Sequence, residues 1–284
     1  MTPARIQTAR GEVEYVELGE PGPVVVTLHG AMGGWDQSAI LARAIVEPGF
    51  RVLALSRPGY LGTPSASGES PEAQADLYAA MLDALGVERA AVVAISGGGP
   101  SAIRFALRHA GRCASLVLVS TVGSPDVPRP PLAFHVMTWL ARRRWFAARL
   151  ERPQGPEVRA RRAIPDANVR ARTLADPVAG PLLRELLAST RHRMADRLEG
   201  TRLDIEASRR SMPLEDVRVP VLVVHGTADR VVPFARHGAE LARRIPAAEL
   251  LAVEGADHVA IFTHREMIAP RVRAFLAQHA CPCG

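Results

Sequence analysis

The chain has 284 residues, 48% of them hydrophobic and 23% charged, with a formal net charge of +6. That length holds one large core, or a core with an inserted subdomain. No apolar run approaches the roughly 18 residues of a membrane-spanning helix, which leaves no candidate for stable membrane insertion.

Met1 to Gln7 lacks the apolar stretch of a signal peptide, so a cytoplasmic protein is predicted. Three cysteines, Cys113, Cys281 and Cys283, do not make a disulfide framework. The terminal pair offers too few ligands for a metal site, so neither a metal nor a cofactor is predicted. All 35 basic residues are Arg. Between Ser124 and Met212 there are 18 Arg against 10 acidic residues, so the positive excess lies in one central segment. Such a segment can steer anionic substrates or touch a membrane surface. It can also be a solvated helical face whose Arg stems cover apolar neighbours. No nucleic-acid motif accompanies it, so no nucleic-acid partner is predicted. Oligomeric state leaves no mark in the sequence.

In chain order, Val13 to Leu18 reads as a strand, and Val24 to Leu28 as a short β-branched run ending in His29-Gly30. Asp36 to Val46 has helical spacing and Arg51 to Leu55 is another strand. Ser70-Pro71 opens a helix to about Leu85, since Ser caps and Pro suits the first turn. A strand at Ala90 to Ile95, a helix at Pro100 to His109 and a strand at Ser115 to Val119 follow. From Ser124 to Met212 apolar residues recur at helical spacing, broken by prolines, and no strand is evident. Alternation resumes with a strand at Pro220 to His225, a helix at Ala235 to Arg244, a strand at Glu249 to Val253 and a closing helix at Arg265 to His279. This order predicts an α/β fold with a mostly parallel sheet and helices on both faces. The core spans 1–123 and 213–284, and 124–212 is a helical cap over the carboxyl ends of the strands, where such sheets bind ligands.

Three short segments carry chemistry. Ala94-Ile95-Ser96-Gly97-Gly98 lies between a strand and a helix, the context of a nucleophile elbow. The tight turn needs small residues two before and two after the serine, and Ala94 and Gly98 meet that need. A phosphate loop is excluded because no Gly-Lys follows, and a dinucleotide loop because the glycine spacing is absent. A serine hydroxyl needs a base, and the base an orienting acid. Asp229 follows the strand at Val221, and His258 follows the next strand, in the order Ser, Asp, His. His264, at a helix start, is the rival base. His29 is expected to support its turn and His225 to end its strand, and His135 and His192 lie in the insertion. Asp257 adjoins His258, and adjacent residues rarely point at each other. Asp126 is the distant alternative to Asp229. The oxyanion donors are expected to be the amides of Gly97 and of Ala31, in the turn His29 to Gly34.

Taken together with Ser56 to Pro64, these segments resemble the α/β-hydrolase superfamily. The resemblance implies an eight-stranded sheet with a helical cap inserted after strand six. Haloalkane dehalogenases and epoxide hydrolases of that superfamily carry Asp where this chain has Ser96. Epoxide hydrolases also need cap tyrosines, and there is no Tyr between 124 and 212. The remaining expectation is a serine hydrolase cleaving a carboxylic ester of a small-molecule substrate with a small to medium acyl or aromatic group. The alternatives are carbon–carbon bond or lactone hydrolysis, perhydrolysis or acyl transfer on the same triad, and a slow-turnover ligand receptor. In the helix candidate 132–150, Phe134, Met137, Trp139, Leu140 and Trp145 make an apolar side. This side can roof a substrate pocket, dock on a membrane surface or pack the cap on the body. The pocket expectation is Met32, Phe134, Met137 and Trp139.

Overall fold

A computed structural model describes residues 1–125, 132–141, 143, 145, 146, 149, 155–246 and 248–280. Asp126, Cys281 and Cys283 lie outside these. Eight strands form one sheet: β1 (Ala4–Thr8), β2 (Gly11–Gly19), β3 (Val24–Leu28), β4 (Arg51–Leu55), β5 (Ala90–Ile95), β6 (Cys113–Val119), β7 (Val221–Gly226) and β8 (Ala248–Val253). Their order is β1-β2-β4-β3-β5-β6-β7-β8. β1 pairs with β2, and β2 with β4, antiparallel, while every later pairing is parallel.

The parallel strands β3 to β7 are apolar almost throughout because both faces are covered, whereas β8, at the edge, is mostly exposed or half-buried. Side chains alternate across the sheet. Val92, Ala94, Leu116, Leu118, Val221 and Val223 enter one core. Their neighbours Ala91, Val93, Val117, Val119, Leu222 and Val224 enter the other. The first core is closed by α2 (Pro71–Ala84) and α3 (Gly99–Arg108). Ser70 caps α2, its side chain accepting from Ala73 N–H. The second core is closed by α1 (Trp35–Leu41) and the closing helix (Arg265–Gln278). From Ala42 to Val46, α1 continues as a wider-wound turn.

Between β6 and β7 the described residues contain α4 (Leu132–Ala141), α5 (Pro156–Ala163), α6 (Ala167–Ala175), α7 (Ala179–Ser189) and α8 (Ala195–Ala207), and no strand. After β7 come α9 (Gly238–Arg244), then α10 (Ala260–Thr263) and the closing helix, α11. Among the described residues no helix is long and apolar enough to cross a membrane.

β1 was not anticipated. Most of its side chains are exposed or half-buried, so it carries no buried apolar face, and its backbone pairing with β2 defines it.

Candidate active site

β5 ends at Ile95, and the chain turns so sharply that Ser96 adopts φ 52°, a left-handed conformation costly for a residue with a side chain. Three neighbours hold the turn. Thr121, just past β6, donates its hydroxyl to Ser96 O. A Cβ on Gly98 would stand 2.7 Å from His29 O and 2.9 Å from Leu28 O, so only glycine fits there. One on Gly30 would stand 3.1 Å from Ser96 Cβ, so the turn after β3 runs directly against the serine.

Asp229 lies in the loop after β7, and its buried carboxylate is fully committed. Oδ1 accepts from Val231 N–H and Val232 N–H, each at 2.8 Å, and Oδ2 meets His258 Nδ1 at 2.8 Å. His225 Nε2 stands 3.5 Å from the same Oδ2. Burial alone would raise the Asp229 pKa. The hydrogen bonds from His225 and His258 outweigh it and hold the carboxyl well below the usual carboxylate range. Because Asp229 accepts at Nδ1, that nitrogen carries the proton and the other ring nitrogen is left as an acceptor. Asp257 braces the loop instead, accepting from His258 N–H at 2.7 Å and Arg230 N–H at 3.3 Å. His264 bonds Thr263 Oγ1 at 2.9 Å and is absent from the cavity lining.

Ser96, His258 and Ala31 line one cavity of about 280 Å³. Its polar side chains are Ser96, His258, Gln37 and Thr190, and its apolar wall includes Ile40, Leu41, Ile95, Leu186, Leu187, Val231, Ile261 and Phe262. Of the two residues expected to supply oxyanion donors, Ala31 lines this cavity, and Gly97 packs beside it: a Cβ on Gly97 would lie 3.2 Å from Ala31 N. The Ala31 N–H has no protein acceptor among the described residues.

Met32, Phe134, Met137 and Trp139 are not among the described lining residues. Trp139 is 59% exposed, and Met32 turns its amide to Thr201 Oγ1 of α8 at 3.0 Å. Between β6 and β7 the lining residues are Leu186 and Leu187 of α7 and Thr190 just after it. The apolar side of α4 signalled a helix with a preferred face, but none of its described residues is among those lining this cavity. The residues after His258 (Val259, Ile261 and Phe262) also line it, and their apolar run beside the candidate base was the available signal.

A buried ionic cluster below the turn was also missed. Arg57 forks onto Asp204 of α8 at 2.6 and 2.5 Å, with the two side chains 1% and 5% exposed. Tyr60 donates its hydroxyl to the same carboxylate at 2.5 Å. Burial opposes the Arg57 charge, but Asp204 more than offsets that and the guanidinium stays protonated. Arg57 lies in the Ser56 to Pro64 segment, which was the one signal for it. His29 accepts from Arg57 N–H at Nε2, 3.0 Å away, so its Nδ1 donates to Gly30 O at 2.7 Å. Burial, reinforced by the Arg57 charge, pushes its pKa well below 6.5 and keeps the ring neutral.

A family model described as alpha/beta hydrolase fold matches residues 23–265. The chain belongs to the α/β-hydrolase family. This hydrolase is 28% identical over 280 residues to a 2-hydroxy-6-oxononadienedioate/2-hydroxy-6-oxononatrienedioate hydrolase of Paraburkholderia phymatum, covering 94% of this chain and 91% of the relative. Among solved structures, an alpha/beta hydrolase fold protein from Nakamurella multipartita is 32% identical, with a TM-score of 0.79, and the match covers 98% of this chain and 99% of that one. An enol-lactonase from Burkholderia xenovorans shares the fold at 22% identity and a TM-score of 0.68, covering 96% of this chain and all of the other.

Proposed function

We propose that this hydrolase cleaves a carboxylic ester carrying a small to medium apolar acyl or aromatic group, through an acyl-enzyme intermediate. Ser96 is the nucleophile, His258 the general base and then acid, and Asp229 the group that orients His258. The supporting observation is that Ser96, the Asp229-bound His258 and Ala31 line the same largely apolar cavity. Ser96 Oγ attacks the acyl carbon and its proton passes to His258 Nε2. The carbonyl oxygen becomes an oxyanion facing the Ala31 and Gly97 amides. Collapse of this adduct breaks the ester bond, and His258 gives its proton to the departing alkoxide. Water, deprotonated by the same imidazole, then releases the carboxylic acid and restores Ser96. The region 124–212, read as a cap, contributes the α7 wall.

A second reading follows the curated relatives' names: carbon–carbon bond hydrolysis on the same triad. Their substrate names denote dicarboxylates. The described lining of this cavity offers no Arg, and the chain has no Lys. Burying two carboxylates without a cation is expensive, which favours the ester.

p-Nitrophenyl esters from acetate to decanoate test this, with Ser96→Ala beside the wild type. Turnover by the wild type alone supports the reading, and the preferred chain length sizes the cavity. If the wild type is inert on every ester while a fluorophosphonate labels Ser96, the ester reading fails and the carbon–carbon reading takes its place.

A further inference from the structure

The turn that carries Ala31 is gripped by one face of α8. Arg197, Thr201 and Asp204 stand four and three residues apart, so they project from the same side of the helix, and all three are buried. Thr201 Oγ1 accepts from Met32 N–H at 3.0 Å. Arg197 reaches Met32 O at 3.4 Å while forking onto Asp36 at 3.1 and 2.6 Å. Asp204 acts through Arg57, whose guanidinium also donates to His29 O at 3.0 Å and Gly30 O at 3.3 Å. A carbonyl and the N–H of the same trans peptide point in opposite directions. Holding Gly30 O from behind therefore aims Ala31 N–H forward. Holding Met32 N–H fixes the next peptide. Both peptide planes flanking Ala31 are pinned: His29 Nδ1 holds Gly30 O at 2.7 Å alongside Arg57, and the pins through Arg57 and Thr201 lead to α8.

The charge arrangement follows the same logic. Asp204 Oδ2 lies so close to Gly97 that a Cβ there would be 2.7 Å away. A bare carboxylate beside an oxyanion donor would oppose the developing charge. Here both carboxylate oxygens are covered by Arg57, and Oδ2 also by Tyr60.

We propose that Arg197, Thr201 and Asp204, with Arg57, are positioning residues that aim the Ala31 amide at the developing oxyanion and make transition-state stabilisation conditional on α8 being seated. This rests on the serine-hydrolase reading above. Since they act on a donor used in the transition state, their loss lowers kcat and leaves KM nearly unchanged.

The test is Thr201→Val, which keeps the shape and removes the acceptor for Met32 N–H. The expected result is a fall in kcat of about tenfold or more on the best p-nitrophenyl ester, with KM little changed. Fluorophosphonate labelling of Ser96 should slow in parallel, because the phosphoryl oxygen uses the same donors. A trifluoromethyl ketone, whose adduct with Ser96 is itself an oxyanion, should bind weaker by a similar factor. Thr201→Ser should restore all three. Arg197→Lys keeps a charge beside Asp36 but loses the fork and the reach to Met32 O. It should show the same split, and it carries the test if Thr201→Val does not fold. Unchanged kcat, or a loss confined to KM with unchanged ketone affinity, overturns the proposal. If Ser96→Ala retains wild-type turnover, or no fluorophosphonate labels Ser96, the underlying reading fails, whatever Thr201 does.

Discussion

Replacing Asp204 with Ala should be among the most damaging single changes in this protein. Arg57 is 1% exposed and gives both arms of its guanidinium to that carboxylate, and Tyr60 adds a hydroxyl. Truncation takes the carboxylate from a buried cation and a buried phenol, leaving Arg57 only the carbonyls of His29 and Gly30 and no counter-charge. Removing one partner of such a pair costs roughly 3–5 kcal/mol, against a total stability of roughly 5–15 kcal/mol. At about 2–4 °C per kcal/mol for a chain of this size, the melting temperature should fall by roughly 6–20 °C. Urea unfolding should show a lower midpoint with an unchanged slope. The double variant Arg57→Met/Asp204→Leu removes both charges and keeps apolar volume. It should be at least about 2 kcal/mol more stable than the sum of its single variants implies. A loss below about 1 kcal/mol for Asp204→Ala, or additive behaviour in the cycle, would refute the view that this pair is desolvated and mutually dependent.

Gly98→Ala should cost roughly 1–3 kcal/mol and abolish turnover, because its Cβ would press on His29 O and Leu28 O, which are backbone atoms that cannot rotate away; a thermal melt beside an ester assay reads both. Asp229→Asn should leave the fold intact and lower kcat by about 10⁴-fold, since an amide facing Nδ1 favours the wrong tautomer of His258; a loss below tenfold would contradict the role given to Asp229. Stability should fall as pH drops below 6.5: folded His29 stays neutral well below that value while the unfolded chain takes up the proton, so stability falls at up to about 1.4 kcal/mol per pH unit for that one group. His264, also lowered, acts in the same direction, and the depressed Asp229 adds stability that is lost only at more acid pH, on falling through its folded pKa. Melting temperature against pH from 8 to 5 should therefore decline below 6.5, and His29→Gln should show a lower but flatter curve; equal slopes would contradict the assignment.

The chemistry-bearing segments were legible because each is a short-range device. Ser96 sits where small neighbours permit a sharp turn, and Asp229 and His258 each follow a short strand whose end can be read within a few residues. Strands β3 to β7 were legible because burial on both faces demands continuous apolar runs. β1 was not, since an edge strand with exposed side chains has no such requirement. The pocket wall was misread for a related reason. The spacing in α4 shows that one side of the helix is apolar, but not which neighbour that side meets. α7 and α4 are both apolar on one side, and it is α7 that brings Leu186 and Leu187, with Thr190 just beyond its end, to the cavity.

The sequence alone placed strands β2 to β8 and the main helices that cover the sheet, the candidate residues Ser96, Asp229 and His258 in that chain order, and the small residues around Ser96, because these depend on contacts and conformations within a few residues. Only the tertiary structure decided that Asp229 and His258 meet at 2.8 Å, and that Arg57 and Asp204, 147 positions apart, share one buried cluster under the oxyanion turn. Such a pair has no local preference to announce it. Two charges become partners only when packing of the whole chain removes the water between them, and that removal belongs to the fold rather than to any segment of it.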